Sequence, residues 1–259
     1  MCALCVKLNI EHNYIHFNIK KLKSQKNLTI NLIDLNLNIL YNQFMEKSLK
    51  LENINICYKK NYFALLNFSY EFLCGKNYFI VGEEQSGKST LCRFIAGLEK
   101  KYNGKIVLDD EEINLNNQFY KNEIAFIFGS GVFLERKTVM QNLQYAFYLR
   151  NEKDKSCNFE EILKTFDLLN LKNVKVKKLS KFDKLKLCIA RLSLRNLSVL
   201  ILDEIFIGIE REEIDALIKL IKNQLKYKCL IISNECFDGV FSSFGEFSVL
   251  NLKAGFLSE

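Results

Sequence analysis

Positions 82–89 have the residue types and spacing of a phosphate-binding loop. They read GEEQSGKS and match the pattern G-x-x-x-x-G-K-[ST] at every fixed position. The apolar run at 77–81 is typical of a buried strand, and positions 90–97 have the apolar spacing of a helix. A strand, a glycine-bounded loop and a helix in this order direct backbone N–H groups and the positive helix end toward phosphates.

The pattern predicts roles for individual residues of this loop. Lys88 would supply a point charge for the β- and γ-phosphates of a nucleotide, and the Ser89 hydroxyl would ligate Mg²⁺. The other members of the predicted phosphate site are Gly82, Glu83, Glu84, Gln85, Ser86, Gly87 and Thr90. The sequence therefore predicts a site for a nucleoside triphosphate and its Mg²⁺ ion.

A second chemical signal lies at the end of another apolar run. Positions 197–204 read LSVLILDE, and such runs are typical of strands buried on both faces of a parallel sheet. A carboxylate at the carboxyl end of such a strand lies beside the phosphate loop and can hold Mg²⁺, which is the role we assign to Asp203. Glu204 follows directly and is the predicted catalytic residue, because it can polarise a water for attack on the γ-phosphate.

The segment between these motifs resembles the signature helix of ABC-type ATPases. Positions 179–191 read LSKFDKLKLCIAR and run directly into the second motif, as the family's basic helix with its I-A-R element does. Positions 138–143, TVMQNL, resemble a helix start in the family's helical subdomain, and positions 51–58 resemble its opening strand. The resemblance extends from residue 49 to about residue 258 and implies that Tyr58 stacks on the adenine of bound ATP.

The resemblance implies an α/β fold with a P-loop NTPase core built on a parallel sheet. An antiparallel β-subdomain flanks that core, and an ABC-type helical subdomain occupies residues 130–195, approximately. The ATP-binding domain would span 45–259. Residues 1–44 would form an N-terminal extension, either an added arm or edge strand, or translated sequence upstream of a true start at Met45.

Hydrophobic periodicity predicts the same order of elements. The expected antiparallel strands lie at 49–58, 63–72 and 105–108, and the expected core strands at 78–81, 124–128, 199–202 and 230–233. An amphipathic helix is expected at 160–171 and a closing strand at 247–252.

Several positions near the γ-phosphate depart from the family pattern. Gln85 stands where the family has the second glycine of the loop. Gly129 stands where the family has a glutamine that senses Mg²⁺, and Asn234 stands where it has the switch histidine. The resemblance implies that the signature contacts the ATP of a partner subunit, and here that signature has lost its glycines and glutamine. The residues at the altered signature positions are Ser180, Lys181, Phe182 and Asp183.

Local chemistry still favours a helix at the altered signature. Ser180 followed by Asp183 has the spacing of an N-cap with a capping box. Phe182 adds bulk where the family has no side chain. Lys181 either adds a cation near the phosphate or is simply solvated, and we favour the solvated position, because charged side chains are usually exposed.

Composition constrains the partners and the compartment. The net charge of +7 comes from lysines spread along the chain, which indicates a solvated surface and favours no nucleic-acid partner. Most of the nine cysteines lie in apolar periodic segments, as free thiols in a reducing compartment do. No apolar run reaches the roughly 18 residues of a membrane span. We therefore expect a cytoplasmic protein, peripheral on the inner face of the cell membrane.

The leading hypothesis is the ATP-binding subunit of an ABC transporter, which couples ATP binding and hydrolysis at a subunit interface to a separate membrane permease. Residues 129–136 would meet the permease through an apolar groove contact, or would pack beneath the helical subdomain instead. A second ABC ATPase subunit is the expected partner, and a heterodimer is favoured over a homodimer. The alternatives are a catalytically weak regulatory ATP-binding subunit and a soluble ABC ATPase not tied to transport.

Overall fold

Two β-sheets organise the part of the chain that the computed structural model describes, namely residues 48–59, 62–108, 111–113, 123–149, 157–195 and 197–258. The predicted N-terminal extension, residues 1–44, lies outside these residues, so the boundary at residue 45 stays a prediction. In chain order the strands are β1 Ser48–Lys59, β2 Tyr62–Leu73, β3 Asn77–Val81, β4 Asn103–Leu108, β5 Glu111–Glu112, β6 Ile124–Phe128, β7 Val199–Asp203, β8 Cys229–Asn234, β9 Phe247–Lys253 and β10 Phe256–Ser258. The α-helices are α1 Lys88–Ile95, α2 Val139–Tyr148, α3 Phe159–Thr165, α4 Lys181–Leu192 and α5 Arg211–Gln224.

The core sheet has the strand order β10-β9-β3-β8-β7-β6. The strands from β9 to β6 pair in parallel, and β10 pairs antiparallel with β9. The predicted core strands and the predicted closing strand are confirmed, because all of them belong to this sheet. The register sets Asp203 opposite Ser233 and Val81 opposite Asn234, so the carboxyl ends of the strands meet at one edge.

The second sheet is antiparallel, with the strand order β2-β1-β4-β5. Its inner face is apolar and buried, including Leu51, Ile54 and Ile56 of β1. These residues alternate along most of the strand because one face of such a sheet packs on the core. The sheet carries Tyr58, near the end of β1, to the edge where the parallel strands end.

Helix α1 follows the phosphate loop as expected and buries its apolar stripe, formed by Leu91, Phe94 and Ile95. The predicted helix at 160–171 is wrong in its second half, because α3 ends at Thr165. Asp167 takes a left-handed backbone with φ of 51°, and Leu168 N donates to Leu163 O at 2.7 Å. This is a Schellman-type helix end. It turns the chain so that the Leu168 side chain is buried.

Asn142 fastens the loop after β6 to helix α2. Its amide group donates to the carbonyls of Leu134 and Thr138 at 3.1 and 3.0 Å and accepts from Leu134 N at 2.9 Å. The side chain is buried, so these hydrogen bonds replace water contacts that the groups have lost. The loop so held includes the segment expected to meet a permease.

Among the described residues, no helix has the length and hydropathy needed to cross a bilayer.

The variant Asn142→Ala should lower the free energy of unfolding by about 2 kcal/mol, because it removes the hydrogen bonds of a buried amide and leaves Leu134 N without its partner. Urea denaturation followed by circular dichroism measures this change. Gln141→Ala is the matched control: this exposed neighbour accepts from Thr138 N at 3.0 Å, and its loss should cost only about 0.5 kcal/mol. Equal losses for the two variants would contradict the role given to Asn142.

Candidate nucleotide-binding site

A cleft of about 310 Å³ opens between the end of β1 and the loop that joins β3 to α1. Most of its walls come from residues that the sequence predicts for a nucleotide site. The lining residues are Tyr58, Ala64, Glu84, Gln85, Ser86, Gly87, Lys88, Ser89, Thr90, Arg93 and Glu204. Gly82, Glu83 and Asp203 lie beside the cleft and act through their contacts with its lining residues.

The loop backbone has the geometry of an anion cradle. Gln85 and Gly87 both have left-handed backbones, with φ of 63° and 105°. A Cβ at Gly87 would lie 2.4 Å from the Ala64 carbonyl oxygen, so this position requires glycine. Gln85 adopts the conformation that glycine adopts without cost, at a penalty of about 1–2 kcal/mol. The buried Ser86 hydroxyl has no hydrogen-bond partner among the described residues, which leaves a polar group of the loop unsatisfied.

Lys88 is a buried cation directed into this loop, with 3% of its side chain exposed. Its ammonium group donates to the carbonyls of Gly82 and Glu83 at 2.6 and 2.9 Å. It also lies 3.4 Å from the Glu204 carboxylate. A cation this deeply buried requires anionic or polar partners, and phosphate oxygens fit the requirement.

Asp203 joins strand β7 to the phosphate loop. Its Oδ1 accepts from the Ser89 hydroxyl at 3.0 Å and from the Ser233 hydroxyl. A hydroxyl and a carboxylate in contact are the ligand types that Mg²⁺ uses beside nucleotide phosphates, so this pair fits a magnesium site. Glu204 follows with a left-handed backbone, φ 52°, and its carboxylate faces the cleft.

The cysteine beneath this site is not a reactive group. Burial raises the pKa of the Cys92 thiol well above its usual value, and the nearby Asp203 carboxylate raises it further. Cys92 therefore stays a neutral thiol, consistent with the expectation that this cysteine is a small core residue.

Tyr58 lines the same cleft as the phosphate loop. Its hydroxyl donates to Glu99 at 2.6 Å and accepts from Arg93 at 3.3 Å. Sequence reasoning missed Arg93 and Glu99, although Arg93 lies one helical turn after Ser89 on α1. It also missed Ser233, which the parallel register places opposite Asp203.

The two altered switch positions lie at the same edge of the sheet. Gly129 follows β6, and its N–H approaches the Asp203 carbonyl at 3.4 Å. A Cβ at Gly129 would meet nothing within 4 Å, so there is room for a glutamine side chain. The φ of 54° would nevertheless strain the backbone of any residue other than glycine. Asn234 ends β8 beside Val81, and its side chain donates to the Cys236 carbonyl at 3.4 Å.

The signature residues form the start of helix α4, and none of them lines this cleft. Ser180 caps α4 by accepting from Asp183 N at 3.1 Å. The predicted N-cap is present, but the predicted capping box is wrong: the Asp183 carboxylate accepts from the Ser180 hydroxyl at 2.9 Å and not from the Ser180 backbone N–H. Asp183 also pairs with Lys186 at 2.9 Å. Lys186 is nearly buried, donates to the Asp167 carbonyl at 3.2 Å and lies 4.8 Å from the Phe182 ring centre.

Lys181 is partly exposed, which agrees in part with the expected solvated position, but it also has a partner within the protein. Its ammonium group donates to the Ile207 carbonyl, in the turn between β7 and α5. Partial burial lowers the pKa of Lys181. The reason is geometric, since the first residue of α4 lies beside that turn and the long side chain reaches a carbonyl there.

Comparison with known proteins agrees with this geometry. The sequence profile of the family described as ABC transporter matches residues 65–206, more than half of the chain. The chain is 29% identical over 183 residues to a putative ABC transporter ATP-binding protein from Clostridium tetani, a match that spans 70% of this chain and 41% of that relative.

Two solved structures share the fold. One is cbiO1 from Clostridium perfringens, part of the ABC transporter complex cbiONQ, with a TM-score of 0.65 and 23% identity over 82% of this chain and 86% of that one. The other is the ATP-binding cassette MJ0796, a dimer in a post-hydrolysis state bound to ADP and Pi, with a TM-score of 0.66 and 23% identity over 82% of this chain and 97% of that one. The expected α/β fold, with a parallel P-loop core and a flanking antiparallel sheet, is confirmed. This chain belongs to the ABC transporter family and carries its ATP-binding domain.

Proposed function

We propose that this chain is an ATP-binding subunit of an ABC transporter and works at an interface with a second ATPase subunit and a membrane permease. The observation that carries the proposal is that Lys88, Ser89 and Glu204 line one cleft while Asp203 bonds to Ser89 beside it, although the two pairs come from separate parts of the sequence. In this assembly the chain would lie at the cytoplasmic face of the membrane, held there by the permease.

Each of these residues has a task that its position supports. The loop N–H groups and Lys88 would bind the phosphates of ATP, and Tyr58 would stack on its base. Ser89 and Asp203 would hold Mg²⁺, which neutralises charge that develops on the transferred phosphate. Glu204 already contacts Lys88 at 3.4 Å. When phosphate oxygens take over the Lys88 charge, the Glu204 carboxylate is released to accept a proton from an attacking water.

We propose further that hydrolysis is weak in the isolated chain. The glutamine and histidine that the family places near the γ-phosphate are replaced by Gly129 and Asn234. At the signature, the Ser180 hydroxyl already donates to the Asp183 carboxylate, so it would have to give up this bond to donate to a phosphate.

A heterodimer with a less altered ABC ATPase accommodates these changes better than a homodimer does. The family resemblance implies head-to-tail pairing, in which each ATP contacts the signature of the opposite subunit. In a homodimer both sites would combine an altered signature with altered switch residues. In a heterodimer the two kinds of alteration fall on different sites, and each site keeps part of the family's machinery.

The expected permease face divides into exposed and packed residues. Val132 and Leu134 are 64% and 41% exposed, which suits contact with another subunit. Phe133 lies under the Arg191 guanidinium at 5.4 Å, and Val139 is fully buried. Arg191 also donates to the Val132 carbonyl at 2.7 Å, which ties this face to the signature helix α4. We therefore propose that Val132 and Leu134 contact the permease, whereas Phe133 and Val139 pack within the chain.

Mg-ATP should stabilise the protein against heat. At a hundred-fold excess of ATP over its Kd the gain is about 2.7 kcal/mol. A thermal-shift titration measures this, with Lys88→Ala expected to abolish the shift and Lys76→Ala, a lysine outside the cleft, as the matched control. A wild-type protein that shows no shift in millimolar Mg-ATP would overturn the proposed function.

The tagged protein, purified from its native host in mild detergent, should bring down a permease with several membrane spans and a second ABC ATPase. The isolated chain should hydrolyse ATP well below the roughly 1–10³ per second of typical enzymes, and the recovered complex should be faster. Recovery of this chain alone, as a homodimer with rapid hydrolysis, would contradict both the heterodimer and the weak turnover.

Asp183 should matter to the fold, because it neutralises the nearly buried Lys186. We expect Asp183→Ala to cost about 2 kcal/mol of unfolding free energy, since the buried Lys186 ammonium group then keeps only the Asp167 carbonyl and the Asp167 carboxylate at 3.6 Å. The double variant Asp183→Ala/Lys186→Met should recover most of that loss. Glu160→Ala breaks an exposed pair with Lys172 and should cost less than about 1 kcal/mol. A loss no larger than this control would show that Asp183 is dispensable to the fold.

A further inference from the structure

The side chain of Tyr58 is held by its hydroxyl more than by packing. It is 47% exposed at the cleft wall, so few neighbours restrict the ring directly. The hydroxyl is fixed by three groups: the Glu99 carboxylate at 2.6 Å, the Arg93 guanidinium at 3.3 Å and the Thr90 hydroxyl at 3.3 Å. A hydroxyl that donates to a carboxylate makes a charge-assisted bond, which is stronger than a neutral one.

Arg93 and Glu99 form a unit around this hydroxyl. Arg93 Nε donates to the Glu99 oxygen that accepts from Tyr58, at 3.0 Å, while another nitrogen of Arg93 reaches the tyrosine hydroxyl itself. This use of two guanidinium nitrogens depends on the planar shape of the group, which lysine lacks. The Glu99 side chain is 17% exposed, so the unit is partly shielded from water.

The unit links the ring to the phosphate loop through one rigid element. Thr90 and Arg93 belong to α1, the helix that starts at Lys88 beside the loop. The helix therefore sets the separation between the tyrosine ring and the loop. A ligand that touches both would carry an anionic phosphate chain at one end and a planar group at the other.

We propose that Arg93 and Glu99 are positioning residues that hold the Tyr58 ring ready to stack on the base of the bound nucleotide. This inference rests on the proposed function and adds to it two residues that select nucleotides over plain polyphosphates. Their effect comes from fixing the ring before binding, since ordering a free side chain at an interface costs affinity.

The test compares the Kd of Mg-ATP with that of inorganic tripolyphosphate, both measured by calorimetry on the full chain. We expect Glu99→Ala to weaken ATP binding about 2- to 10-fold, the effect of ordering one side chain, and to leave tripolyphosphate binding unchanged. Arg93→Lys should act in the same direction. Glu52→Ala is the matched control, because it removes an exposed pair with Lys50 from the same strand as Tyr58.

The variant Tyr58→Phe keeps the ring and removes its hydroxyl, so it tests the same bond even if Glu99→Ala folds poorly. Its loss of ATP affinity should match that of Glu99→Ala, and the double variant should be no weaker than either, because the two changes remove one interaction. Equal losses for ATP and tripolyphosphate, additive losses in the double variant, or unchanged ATP binding would each overturn the inference. A wild-type chain that binds neither ligand would overturn the proposed function and this inference together.

Discussion

A single carboxylate oxygen, Oδ1 of Asp203, holds the end of strand β7 to two other elements. It accepts from Ser89 at the start of α1 and from Ser233 on β8. Because Asp203 is buried, these hydroxyls replace water around a charge that would otherwise be costly to bury. Strand β3 leads into the phosphate loop, and this contact holds the far side of the loop to the sheet as well. The approach of Lys88 to Glu204 follows from it, since Glu204 is the next residue on the same strand end.

The elements that the sequence predicts well are those whose signal is local. The apolar runs at 199–202 and 230–233 end at polar residues, and the observed strands end within one residue of these limits. The predicted phosphate loop has its expected strand and helix, because the motif places the strand before Gly82 and the start of the helix at Lys88. Strand β10 has three residues, too few for a period to appear. Asp167 ends α3 through a backbone conformation that its residue type permits but does not require.

The contacts that the sequence does not predict join residues far apart in the chain. Ser233 meets Asp203 through the register of two parallel strands, and Glu99, in the segment after α1, meets Tyr58 near the end of β1. Lys181 reaches Ile207 because α4 starts beside the turn after β7. None of these partners has a motif of its own. Each partner can be recognised only when the fold is known, because the fold places it beside a residue that belongs to a motif.

The left-handed backbone at Glu204 sets local stability against chemistry at one position. Asparagine or glycine would occupy a φ of 52° more comfortably than glutamate does. Either replacement would relax the backbone and would also remove the carboxylate that faces the cleft. The fold therefore carries a small conformational cost at the residue to which the proposed chemistry assigns the proton transfer.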